Sequence, residues 1–252
     1  MSIATLGWYE LPETRALHDE LWARLAPHLD AAGVPDVPRR LSRPEDPHEV
    51  GDSLLLAQLC GFYVAGVGRD RAVPIAAVEL AAPGCQGRRY RSFIAVPAAL
   101  GASRFEDLEG RRAAINHPLS HSGCNALRRR VARAGASMES FFAAVVTTGA
   151  HVDSVGALRR GEVEVAAIDC VTWAMLERYR PGALEGLVAL EATPLAPAPP
   201  LVTSMANRAL VEPLRSGLAS FFADPAAAPV REALLWGGFA PVDSRDYVGH
   251  FE

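Results

Sequence analysis

Along the chain, apolar runs of strand length alternate with stretches whose apolar residues recur at helical spacing. Residues 3–8 read as a buried strand, and residues 13–32 carry Leu17, Leu21, Leu25 and Leu29 on one helix face. Short strands are expected at 39–42 and 53–59, the latter running through a Cys60–Gly61 turn into a short helix. Residues 74–79 and 91–96 are further strands on either side of a glycine-containing turn at 83–87. After a loop at 97–103, a second series follows: strand 112–116, helices 122–133 and 138–145, strand 146–148, helix 154–160, strand 163–169, helix 171–179 and strand 187–191. A proline-rich run at 193–200 breaks the rhythm, 201–204 is extended, and helices at 208–222 and 229–236 close the chain. Such alternation predicts an α/β chain with parallel sheets, in which ligands bind outside the carboxyl ends of the strands.

The strand-to-helix turns are therefore where chemistry is expected. Four carry polar groups: Trp8–Tyr9, Gln58–Cys60–Gly61, the stretch from Asn116 to Ser122, and Asp169. In the third, a strand ends at Asn116, Pro118 turns its predecessor away from helix, and Ser120-His121-Ser122-Gly123 leads into a helix. Ser120 or Ser122 suits an N-cap, Gly123 lets an anion approach the backbone, and the free helix N-terminus offers N–H groups to an anion.

Composition narrows the mechanism. All 25 basic residues are Arg, because the sequence contains no Lys. That excludes a Schiff-base enzyme, a Walker-type phosphate loop and a protein kinase, each of which needs a lysine. A bound anion must be held by Arg, His, hydroxyls or backbone N–H groups, and a site resting on His121 and His151 as cations would weaken as pH rises from about 5.5 to 8. The net charge of −4 and the scattered arginines argue against a nucleic-acid partner. No apolar stretch is long enough to cross a bilayer. Residues 2–9 lack a basic leader region, which predicts a cytoplasmic chain as it stands and a periplasmic one if a leader has been removed. The four cysteines suggest buried thiols, with a Cys60–Cys85 bridge left open.

Several stretches, taken in order, carry a family resemblance: residues 54–61, 84–92, the Asp107–Arg112 lead-in to residues 116–123, Thr148-Gly149-Ala150-His151, and residues 161–169. Over roughly residues 50–205 the chain resembles the phosphate/phosphonate-binding components of ABC transporters, within the type II periplasmic-binding-protein superfamily. The resemblance implies two α/β lobes around a ligand cleft: residues 1–90 with 201–252 as the first lobe, 91–200 as the second, and hinges near 90–96 and 190–204. It implies a solute-binding monomer, without catalytic residues or a cofactor, that clamps a small anionic or zwitterionic ligand and feeds an ABC permease. Position by position, Ser120, His121 and Ser122 match the family's Ser-Thr-Ser phosphonate loop, with histidine in place of threonine. His151 matches its ligand-binding histidine, and Asp169 an acidic residue facing the ligand's distal, often amino-bearing, end. Gly123, Asn116, Tyr9, Gln58 and Tyr90 complete the expected ligand-binding set. The alternatives are a cytoplasmic enzyme or sensor on the same fold, a metal site from His117, His121, Cys124 and His151, and plain structural roles, with Asp169 as a helix cap and His151 as a helix start.

Overall fold

The computed structural model describes residues 2–251. Its elements are β1 (Ile3–Thr5), α1 (Arg15–Ala31), β2 (Leu54–Gln58), α2 (Gly61–Ala65), β3 (Ala72–Leu80), β4 (Arg89–Tyr90), β5 (Ser92–Pro97), β6 (Arg112–Ile115), α3 (Ala126–Arg133), α4 (Met138–Phe141), β7 (Ala144–Thr147), α5 (His151–Arg159), β8 (Val165–Asp169), α6 (Cys170–Tyr179), β9 (Leu187–Ala192), β10 (Ala196–Pro197), β11 (Pro200–Ser204), α7 (Val211–Ala223), α8 (Ala228–Ala233) and β12 (Trp236–Pro241). Two five-stranded sheets organise them, one in the order β1-β2-β11-β3-β12 and the other β7-β6-β8-β5-β9. Between them, β4 and β10 pair antiparallel as a short ribbon, with Tyr90 opposite Ala196.

The first sheet thus draws on both ends of the chain and the second on its middle, giving two lobes. Strands β2 and β8 are buried along their whole length, which is why they read as continuous apolar runs instead of alternating ones. In α1, Leu21, Leu25 and Leu29 are fully buried and the helix packs on α7, where Gly217 allows the close approach of Leu29. One apolar cluster runs through both lobes, joining Leu55 and Ile75 of the first to Ala166 and Ile168 of the second. At the far end of α6, Arg180 forms two hydrogen bonds to Glu13 of the first lobe, at 2.9 and 3.0 Å.

The sheets are mixed, not parallel. β1 and β2 are parallel, as are β6 with β7 and with β8, but β3 is antiparallel to β11 and β12, and β5 to β8 and β9. β5 and β11 are the strands by which the chain enters the other sheet, so no strand–helix–strand crossover within one sheet sets their direction. Other boundaries shift too. The first strand stops at Thr5, and Gly7–Tyr9 form a 3-10 turn. Residues 39–42 form no strand, although the Ser42 N–H donates to the Ala4 carbonyl at 2.8 Å. The helix expected at 138–145 ends at Phe141 and gives way to β7. The last expected helix stops at Ala233, and Trp236 begins a strand against β3. Ser92–Pro97 and Leu187–Ala192 are hydrogen-bonded strands of the second sheet, so the connecting segments are confined to the stretches around β4 and β10.

Candidate ligand-binding site

Three helix N-termini of the second lobe meet the 3-10 turn after β1 around a cavity of about 200 Å³. Its walls are Trp8, Tyr9, Glu10 and Leu11 from the first lobe, and Asn116, Ser120, Ser122, the Gly149–Val152 segment, Asp169 and Thr172 from the second. No arginine is among them.

Each second-lobe contribution follows from local structure. β6 delivers Asn116 to the sheet's carboxyl edge, and the chain then turns at Pro118. Ser120 caps the next helix, its Oγ accepting the Gly123 N–H at 3.1 Å, and the first turn is π-helical, with the Asn125 N–H reaching the Ser120 carbonyl. That wide turn aims Ser122 at the cavity and His121 away from it. α5 has no side-chain cap, so its first-turn N–H groups are left to whatever fills the cavity. Asp169 caps α6: Oδ1 accepts the Val171 and Thr172 N–H groups, both at 2.8 Å, and Oδ2 accepts the Thr172 hydroxyl at 3.2 Å.

The side chains interlock. Ser122 Oγ lies 2.8 Å from His151 Nε2, and Asp169 Oδ2 lies 3.5 Å from the same nitrogen. Burial lowers the pKa of His151, with the Asp169 carboxylate and the neighbouring Ala167 carbonyl pulling the other way. Three buried polar atoms lining or bordering the cavity have no hydrogen-bond partner: Tyr9 Oη, Asn116 Oδ1 and His151 Nδ1. Burial, and then Asp169, push the Tyr9 phenol well above its ordinary pKa, so it stays a neutral donor.

The sequence profile described as ABC transporter, phosphonate, periplasmic substrate-binding protein matches residues 56–247. The chain belongs to this family. Solved structures agree on the fold. A binding protein component of an ABC phosphonate transporter from Pseudomonas aeruginosa aligns with a TM-score of 0.75 at 18% identity, covering 98% of this chain and 83% of that one. PhnD1 from Prochlorococcus marinus, in complex with methylphosphonate, gives 0.77 at 13% identity, covering 98% and 94%. XAC2383 from Xanthomonas citri, bound to chloride ion, gives 0.71 at 17% identity, covering 98% and 95%. Comparison with curated protein sequences finds no match. This is a two-lobed solute-binding protein of a transporter family whose compartment is the periplasm.

Not every residue expected at the binding protein's site reaches the cavity. Tyr9, Asn116, Ser120, Ser122, His151 and Asp169 line it, whereas His121, Gly123, Gln58 and Tyr90 do not. His121 packs edge-on to Phe251, with ring centroids 4.7 Å apart, and its Nδ1 lies 3.3 Å from Asn125 Nδ2. Burial, with Arg129 nearby, lowers its pKa to about 4. Gln58 donates to the Pro199 carbonyl across the first sheet. Tyr90 is buried, and burial pushes its phenol well above the ordinary pKa, with the Ser122 side chain pulling the other way. Gly123 makes room for the Asn116 side chain: a Cβ there would lie 1.9 Å from Asn116 Oδ1. Asp169 Oδ2 stands 3.5 Å from His151 Nε2, and Glu10 is the other acidic group of the wall, held by Arg43 at 2.7 Å. Trp8 stands at one of the four expected turns but outside the expected ligand-binding set, and Glu10 and Thr172 were not expected, because their place depends on lobe packing that no local pattern encodes.

The residue types Ser, His and Asp invite comparison with a hydrolytic triad, but the geometry differs. In a triad the carboxylate holds one imidazole nitrogen and the serine the other. Here Ser122 and Asp169 face the same nitrogen, and His151 Nδ1 has no carboxylate partner. The four-residue metal alternative also lacks a meeting point, since His121 faces Phe251 while His151 faces Ser122. Cys85 lies 3.5 Å, sulfur to sulfur, from Cys170, so its neighbour is not Cys60.

Proposed function

We propose that the protein captures a small phosphonate-type anion in the inter-lobe cavity for delivery to an ABC permease. The observation that carries this reading is the convergence of the Tyr9, Ser120 and Ser122 hydroxyls, the Asn116 amide and the His151 imidazole on one cavity at the uncapped start of α5. Buried polar groups normally have partners, and the buried Tyr9 hydroxyl on this wall has none, which marks a place built for a polar guest. Ser120, Ser122, Asn116, the Tyr9 phenol and the uncapped α5 terminus would hold the anionic oxygens. His151 joins them as a neutral hydrogen-bonding group. Trp8 and Glu10, across the cavity on the first lobe, would face the rest of the ligand, and an ammonium there would meet a carboxylate and an aromatic face.

Size supports a ligand of few atoms. Pockets for drug-sized molecules run from about 300 to 1,000 Å³, whereas this cavity is about 200 Å³. Closure would bend the chain at the β4–β10 ribbon, with the lobes divided as their sheets are. Contacts from both lobes then make binding and closure one event.

The test is titration calorimetry with methylphosphonate, an ω-aminoalkylphosphonate, inorganic phosphate and acetate. At least one phosphonate is expected to bind without being consumed, and Ser122→Ala to weaken it by roughly tenfold, as for a lost hydrogen bond to a charged group. Absence of binding by all four at millimolar concentration, or full affinity in Ser122→Ala, refutes the reading. Turnover of a bound phosphonate would favour the enzyme alternative.

A further inference from the structure

The segment between β3 and β4 brings Cys85 of the first lobe against Cys170, the first residue of α6 in the second. Their sulfurs lie 3.5 Å apart, and both are free thiols. A disulfide needs about 2.05 Å, so an approach of roughly 1.5 Å would join them. The backbone beside them accommodates the contact. Gly84 has φ +99°, and a Cβ there would lie 2.9 Å from Cys170 Cβ and 3.3 Å from its sulfur. Any side chain at position 84 would push the two segments apart. Cys85 is partly exposed and Cys170 fully buried. The remaining thiols, Cys60 and Cys124, are buried in separate apolar clusters.

We propose that Cys85 and Cys170 form a reversible disulfide that fastens the two lobes beside the ligand cavity. The hydrogen bond from Cys170 lowers the pKa of Cys85, while Cys85 and burial raise that of Cys170, so Cys85 is the entering nucleophile and Cys170 the resolving thiol. The oxidant is a disulfide, of a small molecule or of a protein, such as an oxidising compartment supplies. The Cys85 thiolate attacks one sulfur of that disulfide and expels the first thiolate. Cys170 loses its proton and attacks Cys85 Sγ, expelling the second. Two electrons pass to the oxidant, which leaves as two thiols carrying the two protons.

The bond would tie the first lobe to the residue that follows Asp169, the cap on the cavity wall. The Cys170 N–H donates to the carbonyl of Arg91, the residue after β4, at 3.0 Å, so the bond lies beside the β4–β10 ribbon and limits how far the lobes separate. This holds whatever the ligand is.

The experiment treats the reduced full-length protein with oxidised glutathione at neutral pH, then alkylates it in denaturant and digests it with trypsin. Two alkylated cysteines are expected instead of four, with peptide 72–88 linked to peptide 161–178. Because the link closes a long loop, Tm should rise by roughly 5–10 °C over the reduced protein. In Cys85→Ser, a change at a partly exposed position, oxidation should leave Tm where it was. Four alkylated cysteines, or a link between any other pair, overturns the proposal. A Cys85–Cys170 link with an unchanged or lowered Tm overturns its fastening role.

Discussion

His151 and His121 stand on opposite sides of one helix turn and meet opposite surroundings. His151 touches Ser122 and Asp169 at the cavity, whereas His121 is wedged against Phe251 behind it. Burial lowers both pKa values, so neither is a cation near neutrality. The expectation that affinity declines with pH through protonated histidines therefore loses its basis. The pH dependence moves to stability. With His121 near 4 in the folded state and about 6.5 unfolded, the unfolded chain binds more protons between these values, so stability is complete above about 6.5 and lost as pH falls towards 4. The loss is up to about 3 kcal/mol. Urea unfolding across that window should show a shallower decline in His121→Phe than in the parent, and parallel curves would contradict the assignment. Asn116 and Asp169 could be placed on the cavity wall from the sequence because β6 and β8 deliver their ends to one edge of the second sheet. His121 could not, since the facing of a side chain within a π-helical turn is decided by hydrogen bonds to Ser120 and not by residue type.

At the scale of elements, the helix starts do two kinds of work. α6 spends its first N–H groups on Asp169, whereas α5 leaves its own without a side-chain cap. Only the second kind is open to a guest. Asp169 is the helix cap that the sequence offered as its structural role, and the same cap borders the cavity. Asp169→Ala should cost about 1–2 kcal/mol in chemical denaturation, the worth of an N-cap. Asp169→Asn keeps the acceptor oxygen and should recover most of that loss while removing the charge beside His151. Equal destabilisation by the two would show that the carboxylate matters as an ion and not as a cap. The long periodic helix α1 and the buried strands β2 and β8 are plain in the sequence, since burial of one face or of both leaves a pattern. β12 is not: Trp236-Gly237-Gly238-Phe239-Ala240-Pro241 has two glycines and a proline, and its strand form comes from pairing with β3. Antiparallel pairing is equally invisible, because a buried strand looks the same in either direction.

For the whole molecule, the lobes touch along a continuous apolar seam, with the Arg180–Glu13 pair at its outer rim and the ribbon at its back. The family resemblance implied two lobes but not how they meet, since the seam joins residues more than a hundred positions apart. The cavity at this seam is walled by dipoles and contains two carboxylates and no arginine, in a chain of net charge −4. An approaching anion is therefore drawn in by no long-range field and meets its donors only on arrival. Encounter, not retention, is where this design differs from an arginine-lined clamp. Raising ionic strength slows an electrostatically steered association steeply, but here it should leave the association rate within about threefold, or raise it slightly as repulsion is screened. Trp8 on the cavity wall supplies the stopped-flow fluorescence signal, and a steep slowing with salt would mean that cations outside the wall guide the ligand in. A binder of this kind would take up its ligand about equally well in brackish and in fresh surroundings.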